Sequence, residues 1–162
     1  MSPISHNPAQ VSAPVGGYSH GLEVTPGARF LFISGQIPET PDGHIPQQFT
    51  EQCEAVWNNI FAILHAAAMT KEHLVKVTTF LTDASQAQIN GEIRRKFLGE
   101  VQPALTVMIA QTLQSEWFLE IEAIAASYDY PERGGGTIET MVDNRVLSGK
   151  TSSVRGREKL VT

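Results

Sequence analysis

The chain is 162 residues long, 41% hydrophobic and 7% aromatic, and its 12 Lys/Arg against 17 Asp/Glu leave a net charge of −5. That composition describes a globular protein of one domain, large enough to bury its own core. It excludes an apolar run of about 20 residues, the length a membrane span requires, and no basic start followed by an apolar stretch opens the chain, so a cytoplasmic protein without a membrane partner is expected.

The charge is unevenly spread. Residues 1–127 hold 6 Lys/Arg and 12 Asp/Glu, a net of −6, whereas residues 128–162 hold 6 and 5, a net of +1. An acidic body argues against nucleic acid as a partner. It also leaves few cations for an anionic ligand, and three of the six sit together at Arg94-Arg95-Lys96, read as the solvated face of a helix. The lone Cys53 has no internal disulfide partner, which fits a reducing compartment.

Residues 1–16, rich in Ser, Pro and Gly, read as an arm. Arg29 to Ile33 is a short apolar run bounded by Pro26-Gly27 and Gly35 and reads as a strand, and Thr40-Pro41-Asp42-Gly43 is a turn. From Pro46 to Met69, apolar residues recur every three or four positions through Phe49, Cys53, Val56, Trp57, Ile60, Phe61, Leu64 and Ala68, which predicts a long helix with one buried face. Cys53, Trp57 and Phe61 belong to that face, and His65 lies near it as a core histidine. Leu74 to Leu81 is rich in β-branched residues and predicts a strand.

Thr82-Asp83-Ala84-Ser85 offers caps for a second helix that Gly99 ends, with Ile89, Ile93 and Phe97 along one face. Ala104 to Ala110 and Phe118 to Ala126 predict two further strands. The order strand, helix, strand, helix, strand, strand predicts a two-layer α/β domain with both helices on one face of a mixed sheet. On the last strand Phe118, Glu120, Glu122 and Ile124 share a face. Mixed apolar and acidic, it fits a subunit interface that includes a polar pocket. From Tyr128 the compact pattern stops, and Gly134-Gly135-Gly136 reads as a linker within a polar, basic extension.

Several chemistries find no support. His6, His20, His44, His65 and His73 are never paired at metal-ligand spacing and there is no Cys pair, so no metal site is expected. No Gly-rich phosphate loop follows a strand and no Gly-x-Ser-x-Gly elbow occurs, and no cofactor is expected.

Six segments in order carry a resemblance: Gly17-Tyr18-Ser19-His20, Ser34-Gly35-Gln36, Glu51 to Ala68, Val75-Lys76-Val77-Thr78 with Phe80-Leu81-Thr82-Asp83, Asn90 in the second helix, and Glu120-Ile121-Glu122-Ala123-Ile124-Ala125. Together they resemble the YjgF/Rid family of small enamine/imine deaminases over about residues 11–127. The resemblance implies a chorismate-mutase-like α/β fold, a homotrimer, and ligand sites in clefts between subunits. It divides the chain into an N-terminal arm (1–16), a Rid-like domain (17–127) and a C-terminal extension (128–162), the last expected to lie along the assembly.

It also singles out residues. Glu120 could orient or deprotonate the water that attacks an imine carbon, or be a solvated interface carboxylate; Glu122 shares its face. Tyr18 could stack on a ligand or be an interface aromatic. Ser34 and Gly35 could offer a hydroxyl and a backbone N–H, although Gly35 also suits a turn. Asn90 could reach the pocket or hold a loop. Deaminating members similar to this pattern carry an arginine where this chain has Leu105 in Gln102-Pro103-Ala104-Leu105-Thr106. A planar guanidinium grips a carboxylate through two parallel charge-assisted hydrogen bonds, and leucine offers none. The expectation is a small, polar, nitrogen-bearing ligand whose C=N bond is hydrolysed without that clamp. The alternatives are a non-catalytic or chaperone-like binder, and a pathway-specific deaminase such as one acting on an aromatic ring-cleavage product.

Overall fold

A computed structural model describes residues 2–130; the extension beyond, with its Gly134–Gly136 linker and the packing expected of it, lies outside the described residues. The elements run β1 (Ile4–His6), β2 (Gly21–Glu23), β3 (Arg29–Gln36), α1 (Phe49–Ala66), β4 (Leu74–Leu81), α2 (Ala87–Leu98), β5 (Ala104–Ile109) and β6 (Leu119–Ser127). The main sheet has the order β3-β6-β4-β5. β6 lies antiparallel to both β3 and β4, while β4 and β5 are parallel. A parallel pair needs a crossover, and α2 supplies it.

Side-chain periodicity explains the layering. On β6, Leu119, Ile121, Ala123 and Ala125 are buried, and Val77 and Leu81 of β4 join them on the same face. Cys53, Val56, Trp57, Ile60 and Leu64 of α1 close over that face as one cluster. Trp57, Phe61 of α1 and Phe97 of α2 pack ring against ring, with centroids 5.7–6.2 Å apart, and so join the two helices. The opposite sheet face carries no helix. There Phe30 and Phe32 stack with centroids 6.2 Å apart and stand 50% and 74% exposed.

Four expectations need correction. The arm is not loop throughout: Ile4–His6 pairs antiparallel with Gly21–Glu23 as a small separate ribbon. Three residues on each side are too short to show a period of two. The long helix spans Phe49–Ala66, about 27 Å, rather than reaching from Pro46 to Met69. At its start Gln52, buried, donates to the Pro46 carbonyl at 2.8 Å and to the Glu116 carbonyl at 2.7 Å, and accepts the Phe118 N–H at 2.8 Å. That bracket holds Pro46 outside the helix, and Gln48 is extended with ψ 140°. At its end Ala68 takes φ +51° and turns the chain.

His65 is exposed, because its place on α1 falls on the solvent side of Leu64. Arg94 is 6% exposed rather than solvated. The segment around Gly16 crosses over α2 and its carbonyl accepts from Arg94 Nη2 at 2.7 Å. Sequence periodicity on α2 could not register a cover supplied by a distant loop.

Cys53 is fully buried, as expected. Burial, with the Glu54 charge adding to it, pushes its thiol up to about 12. Since the thiolate is the reactive form, Cys53 is expected to resist a thiol reagent at pH 8 in the folded protein and to react stoichiometrically in denaturant. Rapid labelling of the native protein would contradict this placement.

Candidate functional site

The sequence-marked residues gather in two groups at opposite ends of the sheet. The first is built on β3 and β6. Ile33 pairs with Ala123 and Gln36 with Ile121, so β3 spends one residue more than β6 over this stretch and bulges. The bulge turns Gly35 toward Glu120. A Cβ built on Gly35 would lie 1.7 Å from Glu120 Oε1 and 2.6 Å from its Cδ, so the carboxylate rests directly on the glycine. Only a residue without a side chain leaves that space. Glu120 is half-buried, and its carboxylate is in neither ion pair among the described residues, His6–Glu23 and Lys96–Glu54. The glycine thus fixes where the carboxylate sits.

Beside this pair a hollow of 360 Å³ opens on the helix-free face, lined by Phe32, Ser34, Lys76, Thr78, Glu122 and Ile124. Ser34 therefore has a polar neighbourhood that includes both a cation and a carboxylate. Lys76 also donates to Thr106 Oγ1. Lys76 and Thr78 were legible in the alternation of β4, which puts them on the face of Glu120 and Glu122. In the sequence they stand out only as part of the Val75–Thr78 motif.

The second group sits at the other edge. Ser19 bridges to Ala104 and donates its N–H to the Pro103 carbonyl at 3.2 Å. That contact brings Tyr18 beside the start of β5. The Tyr18 ring meets His20 edge-on, centroids 5.6 Å apart. Leu105 pairs in register with Val77 and packs, half-buried, against the core. Asn90 belongs to neither surface. It is 1% exposed, and its Oδ1 accepts from Cys53 Sγ at 3.8 Å in the seam between α1 and α2.

Strand order fixes the separation. From Glu120 on β6 to Leu105 on β5 is two strand spacings, about 10 Å across, and the register adds three residues along the strand, about 10 Å more. A small molecule touching Glu120 and Gly35 does not also reach Tyr18 and Leu105 of the same chain.

Gly35→Ala tests the geometry. The atoms in the way are the far end of a flexible side chain, so Glu120 is expected to swing aside and the fold to survive with a lowered melting temperature. In a Glu120→Ala background the same substitution should cost less. Thermal melts of the four proteins measure that coupling, and additive effects would show that the two residues do not touch.

Known proteins resemble this arrangement. Residues 9–127 match the family model described as endoribonuclease L-PSP. A RutC family protein of Aquifex aeolicus is 36% identical over 115 residues, 69% of this chain and 90% of that protein. TdcF of Escherichia coli K12, described as a candidate reactive intermediate deaminase, is 32% identical over 115 residues, 68% of this chain and 87% of that one. Among solved structures, the Rid-family protein YyfB of Yersinia pestis superposes with a TM-score of 0.69 at 27% identity, covering 78% of this chain and 100% of that one. E. coli TdcF with bound serine gives 0.59 at 32% identity, covering 70% and 91%.

Proposed function

The chain belongs to the YjgF/Rid family, and from that membership we propose a homotrimer that binds a small, polar, nitrogen-bearing metabolite in the clefts between subunits and hydrolyses its C=N bond. The observation that carries this reading is the split site. Gly35 and Glu120 stand on the β3–β6 side and Tyr18 and Leu105 at the β5 edge. A second copy is what would bring the two together. The stacked, exposed Phe30 and Phe32 give the helix-free face a reason to be covered.

In that cleft Glu120 accepts a proton from water as the oxygen attacks the imine carbon. That proton passes on to nitrogen to give a carbinolamine, whose hydroxyl proton then moves through Glu120 to nitrogen as the C–N bond breaks, so that a carbonyl and ammonia leave. Gly35 sets the carboxylate's position, Ser34 offers a hydroxyl, and Tyr18 of the neighbouring copy walls the ligand. The relative that carries bound serine supports a ligand of amino-acid size. The acidic body speaks against RNA as the substrate, whatever the description of the matching model. No helix among the described residues is long and apolar enough to cross a membrane.

Ammonia release from a panel of enamines and imines tests the reaction. Turnover by the wild type that falls to background in Glu120→Ala, with assembly and melting temperature kept, supports it. Ligand binding with no turnover of any member supports the non-catalytic binder instead.

A further inference from the structure

Among the described residues Arg94 and Arg95 both lack a counter-ion. Arg94 is 6% exposed; its Nη2 donates to the Gly16 carbonyl, and its buried Nε has no partner among the described residues. Neither Arg94 nor its exposed neighbour Arg95 forms an ion pair among those residues, and the nearby Lys96 is the one that takes Glu54, at 2.9 Å. The two guanidinium tips also converge. A methyl built on Gly16 would meet Arg94 Nη2 at 3.8 Å and Arg95 Nη1 at 3.9 Å, and one on Gly91 would meet Arg95 Nη1 at 3.5 Å. Burial, and after it the charge of Arg95, lowers the affinity of Arg94 for its proton. Two like charges held together, one of them desolvated, cost free energy that a bound anion offsets.

The position gives the anion a use. Gly16 and Gly17 run straight into Tyr18 and Ser19, and Ser19 bridges to Ala104, the neighbour of Leu105. The arginine pair thus stands at the same edge as the missing clamp, but further out: Gly17 lies two positions before Ser19, at most about 7 Å of chain.

We propose that Arg94 and Arg95 form an oxyanion site beside Gly16 and Gly17, and that it receives the carboxylate of a cleft ligand whose acid group lies several bonds from the reacting C=N. The site stands without the cleft; its use by the cleft's ligand rests on the reading given above. Two forked guanidinium groups suit a carboxylate, which accepts on both oxygens. The ligand class that follows is a longer enamine or imine acid, not a short 2-imino acid.

The probes are glutarate, acetate and inorganic phosphate, titrated calorimetrically into the full-length protein. Glutarate is expected to bind wild type and to bind Arg95→Gln about 10- to 100-fold more weakly, the loss of one charged hydrogen bond. Lys96→Gln should bind as wild type does. Arg94→Lys keeps the charge and loses the fork, so it too should weaken binding, and it guards against an Arg94→Ala that fails to fold. Equal affinity of wild type and Arg95→Gln, or no glutarate binding at all, overturns the site. Phosphate binding without glutarate binding overturns the carboxylate assignment. Because the readout is binding, a protein that releases no ammonia yet binds glutarate through Arg95 sinks the catalytic reading and leaves the site intact.

Discussion

Short 2-imino acids of the 2-aminoacrylate type are expected to be hydrolysed roughly 10²- to 10⁴-fold more slowly by this chain than by a relative with arginine at the position of Leu105. The figure is two charged hydrogen bonds of about 1.5–3 kcal/mol each, at about 1.4 kcal/mol per tenfold. The structure gives no sign that Leu105 is replaced locally. It packs half-buried against the core in register with the fully buried Val77; Lys76, one residue off that register, lines the hollow on the opposite sheet face and donates to Thr106 Oγ1, and Arg94 and Arg95 lie beyond Tyr18. A ligand with its carboxylate next to the imine carbon is too short to use them. Leu105→Arg is expected to recover part of the deficit for short substrates. β5 is an edge strand, so the stem can run along the sheet while the guanidinium reaches water. The lost leucine packing should lower stability by about 0.5–3 kcal/mol. Steady-state ammonia release from wild type, Leu105→Arg and an arginine-bearing relative, with melts alongside, measures both effects. Wild-type turnover equal to that of the relative would place a working carboxylate clamp elsewhere near Leu105.

The layers of this fold were readable because a single physical signal, burial on one side, sets the period of each element. The apolar series along α1 is buried in it apart from half-buried Phe61 and from Ala68 beyond its end, and the alternation from Leu119 to Ala125 divides β6 into a core face and a face with Glu120 and Glu122. What escaped depended on contacts between distant segments. The Ile4–His6 ribbon exists only with its partner at Gly21–Glu23. Arg94 is buried by residues 78 positions away. The same holds for the candidate site. Glu120, Ser34 and Gly35 could be marked from a motif, but that the Glu120 carboxylate lies on Gly35 required the β3 bulge. The division of the marked residues between two sheet edges required the strand order, which no local pattern encodes.

That division makes assembly the second large effect. Phe32→Glu is expected to break the proposed trimer into species of one 17.7 kDa chain at micromolar concentration. Phe32 is 74% exposed and stacks on Phe30, so in the isolated chain the substitution removes little and the fold should hold. In an assembly that covers the helix-free face the same residue is buried. Burying a phenylalanine contributes about 1.5–3 kcal/mol, and a carboxylate in its place must be desolvated beside Glu122, which shares that hollow. Symmetry repeats the penalty at every copy. Light scattering measures the mass, and calorimetry with the best ligand of the panel measures the site. Each separated subunit still carries Glu120 on Gly35 and Tyr18 beside Leu105, but in different places, so ligand affinity should fall with the mass. A wild type that is already monomeric, or a Phe32→Glu protein that keeps mass, stability and binding, would show that the open face is not the interface and that the two groups are joined in some other way.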